Sequence, residues 1–311
     1  MKNKFKKILI TGGGGFLGTH IVEKLLKKGF DRQNIIIPRS KEFDLRRRED
    51  CDKIVKGVDL VIHTAARVGG IGYNRVHPAV AFYDNAMMAI NMIDSAYRAD
   101  VKKFVGIGSV CSYPKVSPVP FKEENLWDGY PEETNAPYGL AKKMMLVQSQ
   151  AYSKEYNFNA VHLLMINLFG PGDNYDPEDS HVISGLIQKI ALAKKNKAPS
   201  ITAWGTGKAT REFLYVANAA DAVILAAEKY DKSDPVNIGS GREISIKELT
   251  ETIARLMEYN GEVKWDTSKP DGQLRRGLDT SKAYKEFGFK AFTDLGSGLL
   301  ETIRDYQRRF N

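Results

Sequence analysis

Tyr138 and Lys142 form a pair whose spacing suits proton transfer. Because they are four residues apart, their side chains lie one turn apart on the same face of a helix. An ammonium group beside a phenol stabilises the tyrosinate and lowers the tyrosine pKa, so that the phenol exchanges its proton near neutral pH. A chain with 14 tyrosines contains roughly one such pair by chance. The spacing therefore needs support from the position of the pair.

The expected position of a serine in the fold gives that support. Tyr138 opens a predicted helix that follows the predicted strand Lys103–Gly108. Ser109 comes directly after this strand, at the edge where ligands of open α/β sheets bind. We predict that Ser109, Tyr138 and Lys142 form a ketone-reducing triad. The serine hydroxyl hydrogen-bonds the substrate oxygen, and the tyrosine protonates that oxygen as a hydride reaches the carbonyl carbon.

A glycine pattern near the N terminus predicts a nucleotide site. Gly12, Gly15 and Gly18 form GxxGxxG between a predicted strand, Lys7–Thr11, and a predicted helix, Leu17–Lys28. Such glycines permit a tight turn, a close approach of the backbone to a pyrophosphate and close helix–strand packing, and the anion lies at the helix N terminus. The alternative is a purely structural turn. The spacing is GxxGxxG and not GxGxxG, which favours the short-chain dehydrogenases/reductases.

The end of the second predicted strand, Asn34–Ile37, indicates which dinucleotide is bound. An acid there usually holds the ribose 2′-OH of NAD, whereas a cation lies beside the 2′-phosphate of NADP. The strand is followed by Arg39, Ser40 and Lys41, and the first acid, Glu42, comes too late. A guanidinium binds phosphate oxygens with two parallel hydrogen bonds. We therefore expect NADP(H); the alternative is that these cations are ordinary surface charges.

Alternating strands and helices must position these groups. Short apolar runs alternate with amphipathic stretches in the first half of the chain. This alternation predicts a parallel sheet with helices on both faces and right-handed connections. The fold class is therefore α/β, a Rossmann-like doubly wound parallel sheet. The remaining predicted strands are Val58–His63 and Ala160–Leu168, and the remaining predicted helices are Pro78–Arg98 and Tyr138–Tyr156.

The second half is less regular. Pro, Gly, Asp and Asn dominate Phe169–Ser180, which we interpret as a loop. Ser245 and Glu248 form a capping box that predicts a helix start. The predicted elements are helices at Val182–Lys195, Asp221–Tyr230, Ser245–Glu258 and Leu295–Phe310, a strand at Pro235–Ile238, a turn at Trp204–Thr210 and a loop at Asp266–Arg276.

Composition narrows the class of protein. Of 311 residues, 42% are hydrophobic and 27% charged, as in ordinary soluble proteins. No apolar stretch reaches the roughly 18 residues of a membrane span, no signal peptide is recognisable, and two cysteines without zinc-ligand spacing suit the cytoplasm. The net charge of +8 comes without a basic block interleaved with aromatics. We expect a cytoplasmic protein without metal, membrane or nucleic-acid partner, whose charge reflects a solvated surface or anionic ligands.

Seven long stretches carry a resemblance to a known family. They are HTAARVGGIGYN (63–74), GSVCSYPK (108–115), PEETNAPYGLAK (131–142), NLFGPGDNYDPEDSHVI (167–183), WGTGKATREFLYV (204–216), NIGSGREISIKEL (237–249) and KPDGQLRR (269–276). With them the chain resembles the GDP-L-fucose synthases, which are extended short-chain dehydrogenases/reductases. The resemblance implies NADPH-dependent conversion of GDP-4-keto-6-deoxy-D-mannose to GDP-L-fucose, by epimerisation at C3 and C5 and then reduction of the C4 ketone.

The resemblance also implies roles for two residues of the epimerisation. Cys111 matches the family's base and His181 its acid partner. A 4-ketone acidifies the protons on C3 and C5, so a thiolate can remove one and an imidazole can return one from the other face. Without the resemblance, we would interpret Cys111 as a buried inert thiol and His181 as a histidine of a surface loop.

Ligand contacts are implied in the same way. Lys189 and Arg211 match contacts to the GDP diphosphate, although many members carry Arg at position 189, whose fork geometry a lysine lacks. The expected substrate contacts are Asn167, Lys189, Trp204, Arg211 and Asp271. The expected cofactor contacts are Gly12, Gly13, Gly14, Gly15, Phe16, Leu17, Gly18, Arg39, Ser40, Lys41, Ala65, Ile107, Gly108, Ser109, Val110, Lys142, Met165, Ile166, Asn167, Leu168 and His181.

The chain departs from the family pattern around the sugar pocket. Val110 replaces a serine, Ser112 an apolar residue, and Met165–Ile166 a Pro-Thr pair. These departures bear on which sugar is bound more than on the class of reaction. The nearest alternative is a C4 reductase without epimerisation, acting on another GDP-4-keto sugar, a 6-deoxy or heptose derivative for surface glycans. A dinucleotide-sensing regulatory protein is the non-enzymatic alternative, and its sign would be a broken Ser–Tyr–Lys set.

The resemblance extends to domains and assembly. We expect residues 1–168 plus about 213–240 to form the NADP-binding Rossmann domain. Residues about 169–212 plus 241–311 should form a smaller, mostly C-terminal α/β domain that binds the GDP-sugar. Family members are dimers, and here Pro78–Arg98 and Tyr138–Tyr156 would supply a four-helix interface between two copies. We expect about half of the apolar candidates for this interface to pack in the core instead. The six candidates on these helices are Met87, Met88, Met92, Met144, Met145 and Leu146.

Overall fold

A computed structural model describes residues 1–177, 179–269 and 271–310, with only the backbone at residue 71. Its strands are β1 (Ile8–Thr11), β2 (Ile35–Ile36), β3 (Leu60–His63), β4 (Lys103–Ser109), β5 (Ala160–Met165), β6 (Asn167–Phe169), β7 (Ser200–Trp204), β8 (Thr210–Tyr215), β9 (Val236–Ile238), β10 (Glu243–Ser245), β11 (Glu262–Asp266) and β12 (Arg275–Arg276). Its α-helices are α1 (Phe16–Lys27), α2 (Arg48–Ile54), α3 (Ile71–Val76), α4 (Pro78–Arg98), α5 (Ala136–Tyr156), α6 (Val182–Lys195), α7 (Val216–Lys229), α8 (Ile246–Leu256), α9 (Ser281–Phe287) and α10 (Leu295–Phe310).

The main sheet has six parallel strands in the order β2-β1-β3-β4-β5-β9. Successive side chains of a strand point to opposite faces. Ile8 and Ile10 therefore pack in a core with α1 and α7, and Leu9 packs in a second core with α2, α4 and α5. The inner strands are buried along almost their whole length and mostly apolar, because both faces of a parallel sheet are covered. The predicted doubly wound α/β fold is confirmed.

The second half of the chain adds smaller sheets. β8 pairs with β10, β12 and β6, and β11 pairs with β7. Helices α6, α8 and α10 cover these strands and share a third apolar core with them. The predicted capping box is present, with Ser245 Oγ accepting from the Glu248 amide. Among the described residues, no helix combines the length and apolarity that crossing a membrane requires.

Several predicted boundaries need correction. The predicted strand Ala160–Leu168 divides at Ile166, whose amide donates to the Ile238 carbonyl at 3.0 Å. Its first part stays in the main sheet, and its last part, β6, joins β8. The predicted strand Asn34–Ile37 shortens to two residues. Helix α7 begins at Val216 and not at Asp221. The bounds of α4, α6 and α10 are as predicted.

Candidate active site

A cavity of about 2040 Å³ lies along the carboxyl ends of the main-sheet strands and extends to the smaller sheets. It is lined by the turn after β1, the ends of β4 and β5, the N-terminal turns of α5 and α6, and the loop that follows β7. The sequence-predicted site residues all line this cavity except Gly13 and Lys41. Gly13 lies behind the turn, where a Cβ would be 2.9 Å from the Ile10 carbonyl oxygen. Lys41 is exposed outside the cavity.

The turn after β1 has the shape that close approach of a phosphate requires. Gly12 has a φ of +70°, which disfavours other residues, and a Cβ on it would lie 2.8 Å from the Ala65 amide nitrogen. A Cβ on Gly18 would lie 2.2 Å from the Gly12 oxygen, so helix α1 packs directly on the turn. In the described chain no side chain caps α1. Its first-turn amides are therefore available to an anion.

Arg39 lies over this turn. A Cβ on Gly14 would be 2.4 Å from Arg39 Nη1, so the guanidinium reaches across from the end of β2. Asp44 is committed to Arg46, whose Nε and Nη2 donate to its carboxylate at 2.9 and 2.7 Å. These hydrogen bonds lower the pKa of Asp44 to about 2. At this end of the cavity Arg39 thus provides a cation and Asp44 is already paired.

The predicted reducing triad is assembled by two elements that touch. Ser109 ends β4, and its Oγ accepts from the Cys111 amide at 3.1 Å. Tyr138 and Lys142 lie on the first turns of α5, with Lys142 Nζ 5.7 Å from the Tyr138 ring centroid. Gly139 lets the helix approach, because a Cβ there would be 2.2 Å from the Cys111 oxygen. The cavity therefore presents the serine and the tyrosine side by side.

Burial governs the proton affinities of this triad. It raises the pKa of Tyr138, with a further increase from Cys111, while a hydrogen bond with Ser109 opposes the shift. The expectation of a lowered tyrosine pKa is therefore wrong for this arrangement, because desolvation is the largest effect on Tyr138 and raises its pKa. Burial also lowers the pKa of Lys142 to about 8.

Two buried histidines surround Lys142. Burial, with the charge of the lysine, lowers the pKa of His63 and of His162 to about 3. His63 Nδ1 lies 2.8 Å from Thr11 Oγ1. A Cβ on Gly108 would lie 2.3 Å from His162 Nε2, so this ring packs directly under the end of β4. Both imidazoles are neutral near pH 7 and add no positive charge beside the lysine.

The residues expected to epimerise also face the cavity. Cys111 is half-buried, and its Sγ lies 3.9 Å from Arg276 Nη1. Arg276 is held by Gln273, whose Oε1 accepts from its Nε and Nη2 at 2.8 and 2.5 Å. His181 is the N-cap residue of α6. Its Nδ1 lies 3.7 Å from Asp173 Oδ1, and this interaction raises the pKa of His181.

The expected substrate contacts lie at the far end of the cavity. Lys189 Nζ donates to the Thr202 carbonyl at 2.6 Å, and burial lowers its pKa. Burial, together with the charge of Arg276, lowers the pKa of Arg211 to about 10. Trp204 is 67% exposed, and Lys269 Nζ lies over its ring, 5.7 Å from the centroid. Asp271 instead accepts from the Thr206 amide and hydroxyl, both at 2.7 Å, which commits its carboxylate to the turn between β7 and β8.

Sequence reasoning gave no role to two residues of this cavity. Arg276 belongs to a recognised stretch, but its neighbour Arg275 is equally charged and pairs with Glu243. Strand alternation separates them, because β12 directs Arg275 outward and Arg276 into the cavity. Asp173 lies in the predicted loop eight positions before His181. Its only sequence signal was membership of the same recognised stretch.

Comparisons with known proteins agree with this architecture. The model of the NAD dependent epimerase/dehydratase family matches residues 8–239. GDP-L-fucose synthase 1 of Arabidopsis thaliana is 38% identical over 308 residues, which cover 98% of this chain and 94% of the relative. A GDP-6-OMe-4-keto-L-xylo-heptose reductase from C. jejuni is 28% identical with a TM-score of 0.91, covering 98% of both chains. A GDP-L-fucose synthetase from Naegleria fowleri bound to NADP is 27% identical with a TM-score of 0.88, covering 98% of this chain and 95% of the other.

Proposed function

Because the chain belongs to the NAD dependent epimerase/dehydratase family, we propose that it converts GDP-4-keto-6-deoxy-D-mannose to GDP-L-fucose. The reaction is 3,5-epimerisation followed by NADPH-dependent reduction of the C4 ketone. The near full-length similarity to GDP-L-fucose synthase 1 supports this function. The observation that carries it is that one cavity holds the groups for both steps: Ser109, Tyr138 and Lys142 with Cys111 and His181.

The cofactor is NADP(H), and the residues present fit it. The glycine turn and the amides at the start of α1 suit the pyrophosphate, since in the described chain no side chain caps this helix and its first-turn amides face the cavity. Arg39 lies beside this turn, where a 2′-phosphate needs a cation. The cofactor supplies a hydride when bound.

For reduction, the chain supplies a proton and fixes the ketone. We assign the hydrogen bond to the C4 oxygen to Ser109 and the proton donation to Tyr138. Burial keeps Tyr138 protonated until negative charge develops on the ketone oxygen. Lys142 stabilises the phenolate left after transfer. At a pKa of about 8 it is still mostly charged at pH 7, so its ammonium is present when it is needed.

For epimerisation, we assign the base to Cys111 and the acid to His181. The Cys111 thiolate removes a proton from C3 or C5, and electron density moves to the C4 oxygen. His181 donates a proton to the same carbon from the other face, which inverts it. The guanidinium of Arg276 lies where it attracts negative charge on the sulfur. Lys189, Arg211 and Trp204 then hold the GDP portion at the far end of the cavity.

A C4 reductase without epimerisation remains the second candidate. Its specific support is the TM-score of 0.91 with a heptose reductase from C. jejuni. The two functions differ in product. Incubation of GDP-4-keto-6-deoxy-D-mannose and NADPH with the protein in D₂O should give GDP-L-fucose with deuterium at C3 and C5 by NMR. A reduced sugar with the original configuration and no deuterium at these carbons would establish the second candidate.

Arg39→Ala is expected to weaken NADPH binding by roughly 1–3 kcal/mol, the scale of hydrogen bonds to a charged group. NADH binding should change little, because NADH has no 2′-phosphate. The measurement is kcat/KM for each cofactor. Lys41→Ala is the matched control, because it removes a nearby cation that does not line the cavity, and it should leave both values unchanged. A wild type that prefers NADH would contradict the assignment of Arg39.

The division of the chain into domains stays part of this proposal. Residues 1–168 plus about 213–240 are assigned to cofactor binding, and residues about 169–212 plus 241–311 to the GDP-sugar. Support comes from the sheets, since β9 closes the main sheet whereas β7 and β10–β12 lie outside it. We also place the protein in the cytoplasm, in line with the free thiols of Cys51 and Cys111.

We further propose a homodimer formed through α4 and α5. The two helices pack side by side, with Gln148 Nε2 donating to the Ile90 carbonyl at 3.1 Å. Of the six apolar candidates, Met92, Met145 and Leu146 are core residues, and Met87, Met88 and Met144 are half-buried. The same two helices carry further exposed apolar side chains: Val80, Phe82, Tyr83 and Ile90 on α4 and Val147 on α5.

Val147→Glu is expected to yield a monomer, because a buried unpaired charge at an interface costs several kcal/mol. Val147 is 49% exposed in the single chain. Val116→Glu is the control, since Val116 is 85% exposed and lies outside both helices. The measurement is mass by light scattering at micromolar concentration. A wild type that is already monomeric would remove the proposed dimer.

A further inference from the structure

The loop between β6 and α6 places a buried carboxylate behind His181. Asp173 is 2% exposed, and its Oδ1 lies 3.7 Å from His181 Nδ1. This distance permits an ion pair but exceeds that of a good hydrogen bond. The other oxygen, Oδ2, is buried and has no hydrogen-bond partner within residues 1–177, 179–269 and 271–310. A buried ionised carboxylate with an unused oxygen strongly favours a nearby positive charge.

The loop backbone around Asp173 is fixed by contacts that leave one carboxylate oxygen, Oδ2, unused. The Asn174 amide donates to Asp173 Oδ1 at 2.8 Å. On α10, Arg309 Nη1 donates to the Asp173 carbonyl at 3.0 Å, and Asp305 accepts from the Gly172 amide at 2.8 Å. The helix therefore anchors the main chain around Asp173, while the carboxyl group itself points to the imidazole. Anchoring the main chain at residues 172 and 173 also holds the Asp173 side chain in place.

Other charges near His181 do not replace this contact. The charged residues that line the cavity on the elements next to this loop are Asp179 in the loop itself, Lys189 on α6, Arg75 on α3, and Asp305, Arg308 and Arg309 on α10. Arg309 and Asp305 are engaged as described above, and Lys189 donates to Thr202. The interaction with Asp173 raises the pKa of His181, and it outweighs the opposing effect of burial.

We propose that Asp173 is a positioning residue that orients the imidazole of His181 and keeps it as imidazolium for epimerisation. This inference rests on the proposed function. With Nδ1–H directed at Asp173, Nε2–H faces the sugar and transfers its proton to C3 or C5. The C–H bond forms as the Nε2–H bond breaks, the imidazole becomes neutral, and Asp173 stays an anion throughout. Asp173 thus acts through His181 and not on the substrate.

The consequence is a defined pH dependence. Because the pKa of His181 is raised, its acid form persists to higher pH than that of an ordinary histidine. Asp173→Asn removes the charge and lowers this pKa. The alkaline limb of the pH–rate profile for epimerisation must then move to lower pH. On that limb, the rate at a fixed pH falls about tenfold for each pH unit of the shift. The activity should recover as the pH is lowered, which a misfolded protein would not do.

The first experiment is an NMR titration of the histidine Cε1 protons in the whole protein without substrate, with His181 assigned by its loss in His181→Gln. Wild-type His181 should titrate above the ordinary value of 6.5, and lower in Asp173→Asn. Asp179→Asn is the matched control, because it removes a charge of the same sign from the same loop, and it should leave the titration unchanged. Asp173→Glu keeps the charge and should keep the titration above 6.5.

The second experiment is the pH profile of solvent deuterium incorporation at C3 and C5. Its alkaline limb should shift in Asp173→Asn by the change seen in the titration. A wild-type His181 that titrates at or below 6.5 would overturn the inference even if the variant does not fold. So would an unshifted limb in a folded Asp173→Asn. A wild type that incorporates no deuterium would instead refute the proposed epimerisation, whatever the titration shows.

Discussion

Tyr138→Phe is expected to stop reduction of the ketone while carbon exchange continues. The substitution removes only the phenolic proton donor and leaves the ring that packs in the cavity. Loss of one general acid costs about 10²–10⁴-fold, so NADPH oxidation should fall by that factor at saturating substrate. Cys111 and His181 are untouched, so deuterium should still enter the keto sugar at C3 and C5. NADPH oxidation is measured by absorbance, and exchange by NMR of the keto sugar.

A matched control comes from the exposed tyrosines. Tyr130 is 62% exposed and does not line the cavity, so Tyr130→Phe should leave both rates unchanged. The effect of Tyr138→Phe should appear in kcat, because the proton moves in the transition state and the ring still fills its place. If NADPH oxidation persists within a few-fold of the wild type, Tyr138 is not the proton donor. If exchange is lost together with reduction, the two steps do not use separate groups.

The cofactor half of the molecule was predictable because its signals are local. Strands β1, β3 and β4 are short apolar runs, and Gly12, Gly15 and Gly18 follow β1 directly along the chain. Ser109 also sits at a predicted strand end, and the Tyr138–Lys142 pair at a helix start. Open parallel sheets bring these ends to one edge, so the chain order already implied their meeting.

The second half was less predictable because its strands contain charged residues, some of which line the cavity while others are buried in the fold. β8 contains Arg211 and Glu212, so it lacks the apolar run that identifies a strand. Glu212 is nevertheless buried, because its Oε1 accepts from the Ser240 and Gly241 amides and its Oε2 from the Leu278 amide. Such partners come from distant loops and leave no periodic pattern. The turn at 204–210 was predicted, but not the strands on either side of it.

The effect of Lys142 on Tyr138 shows a different gap between sequence and structure. Spacing on a helix face says that two groups are neighbours, but it does not say how far both are removed from water. Desolvation depends on every element that packs around them, and α5 packs against α4, β4, β5 and the 3₁₀ turn at 110–112. The contacts of Arg276 and Asp173 depend in the same way on distant segments. The roles of these residues can be inferred only once the fold, and with it the set of residues around them, is known.

Cys111→Ser is expected to suppress solvent exchange at C3 and C5 by about 10²–10⁴-fold while NADPH stays bound. A serine hydroxyl is nearly isosteric but is far less acidic than a thiol, so it cannot supply the anion that removes a proton from carbon. Ser109, Tyr138 and Lys142 remain in place. The 4-ketone should therefore still be reduced, and the product should keep the configuration of the substrate at C3 and C5. NMR of the product gives both its deuterium content and its stereochemistry.

The second cysteine provides the control for Cys111→Ser. Cys51 is buried outside the cavity, where its Sγ contacts the Leu45 carbonyl at 3.3 Å and burial raises its pKa. A serine there can donate to the same carbonyl, so Cys51→Ser should retain exchange and inversion.

Arg276→Gln should act in the direction of Cys111→Ser but more weakly, since it removes the cation beside the sulfur and leaves the thiol. If Cys111→Ser leaves exchange and stereochemistry as in the wild type, the thiol is not the base. If the wild type itself yields an uninverted sugar, the protein is a C4 reductase and the groups around Cys111 serve binding alone.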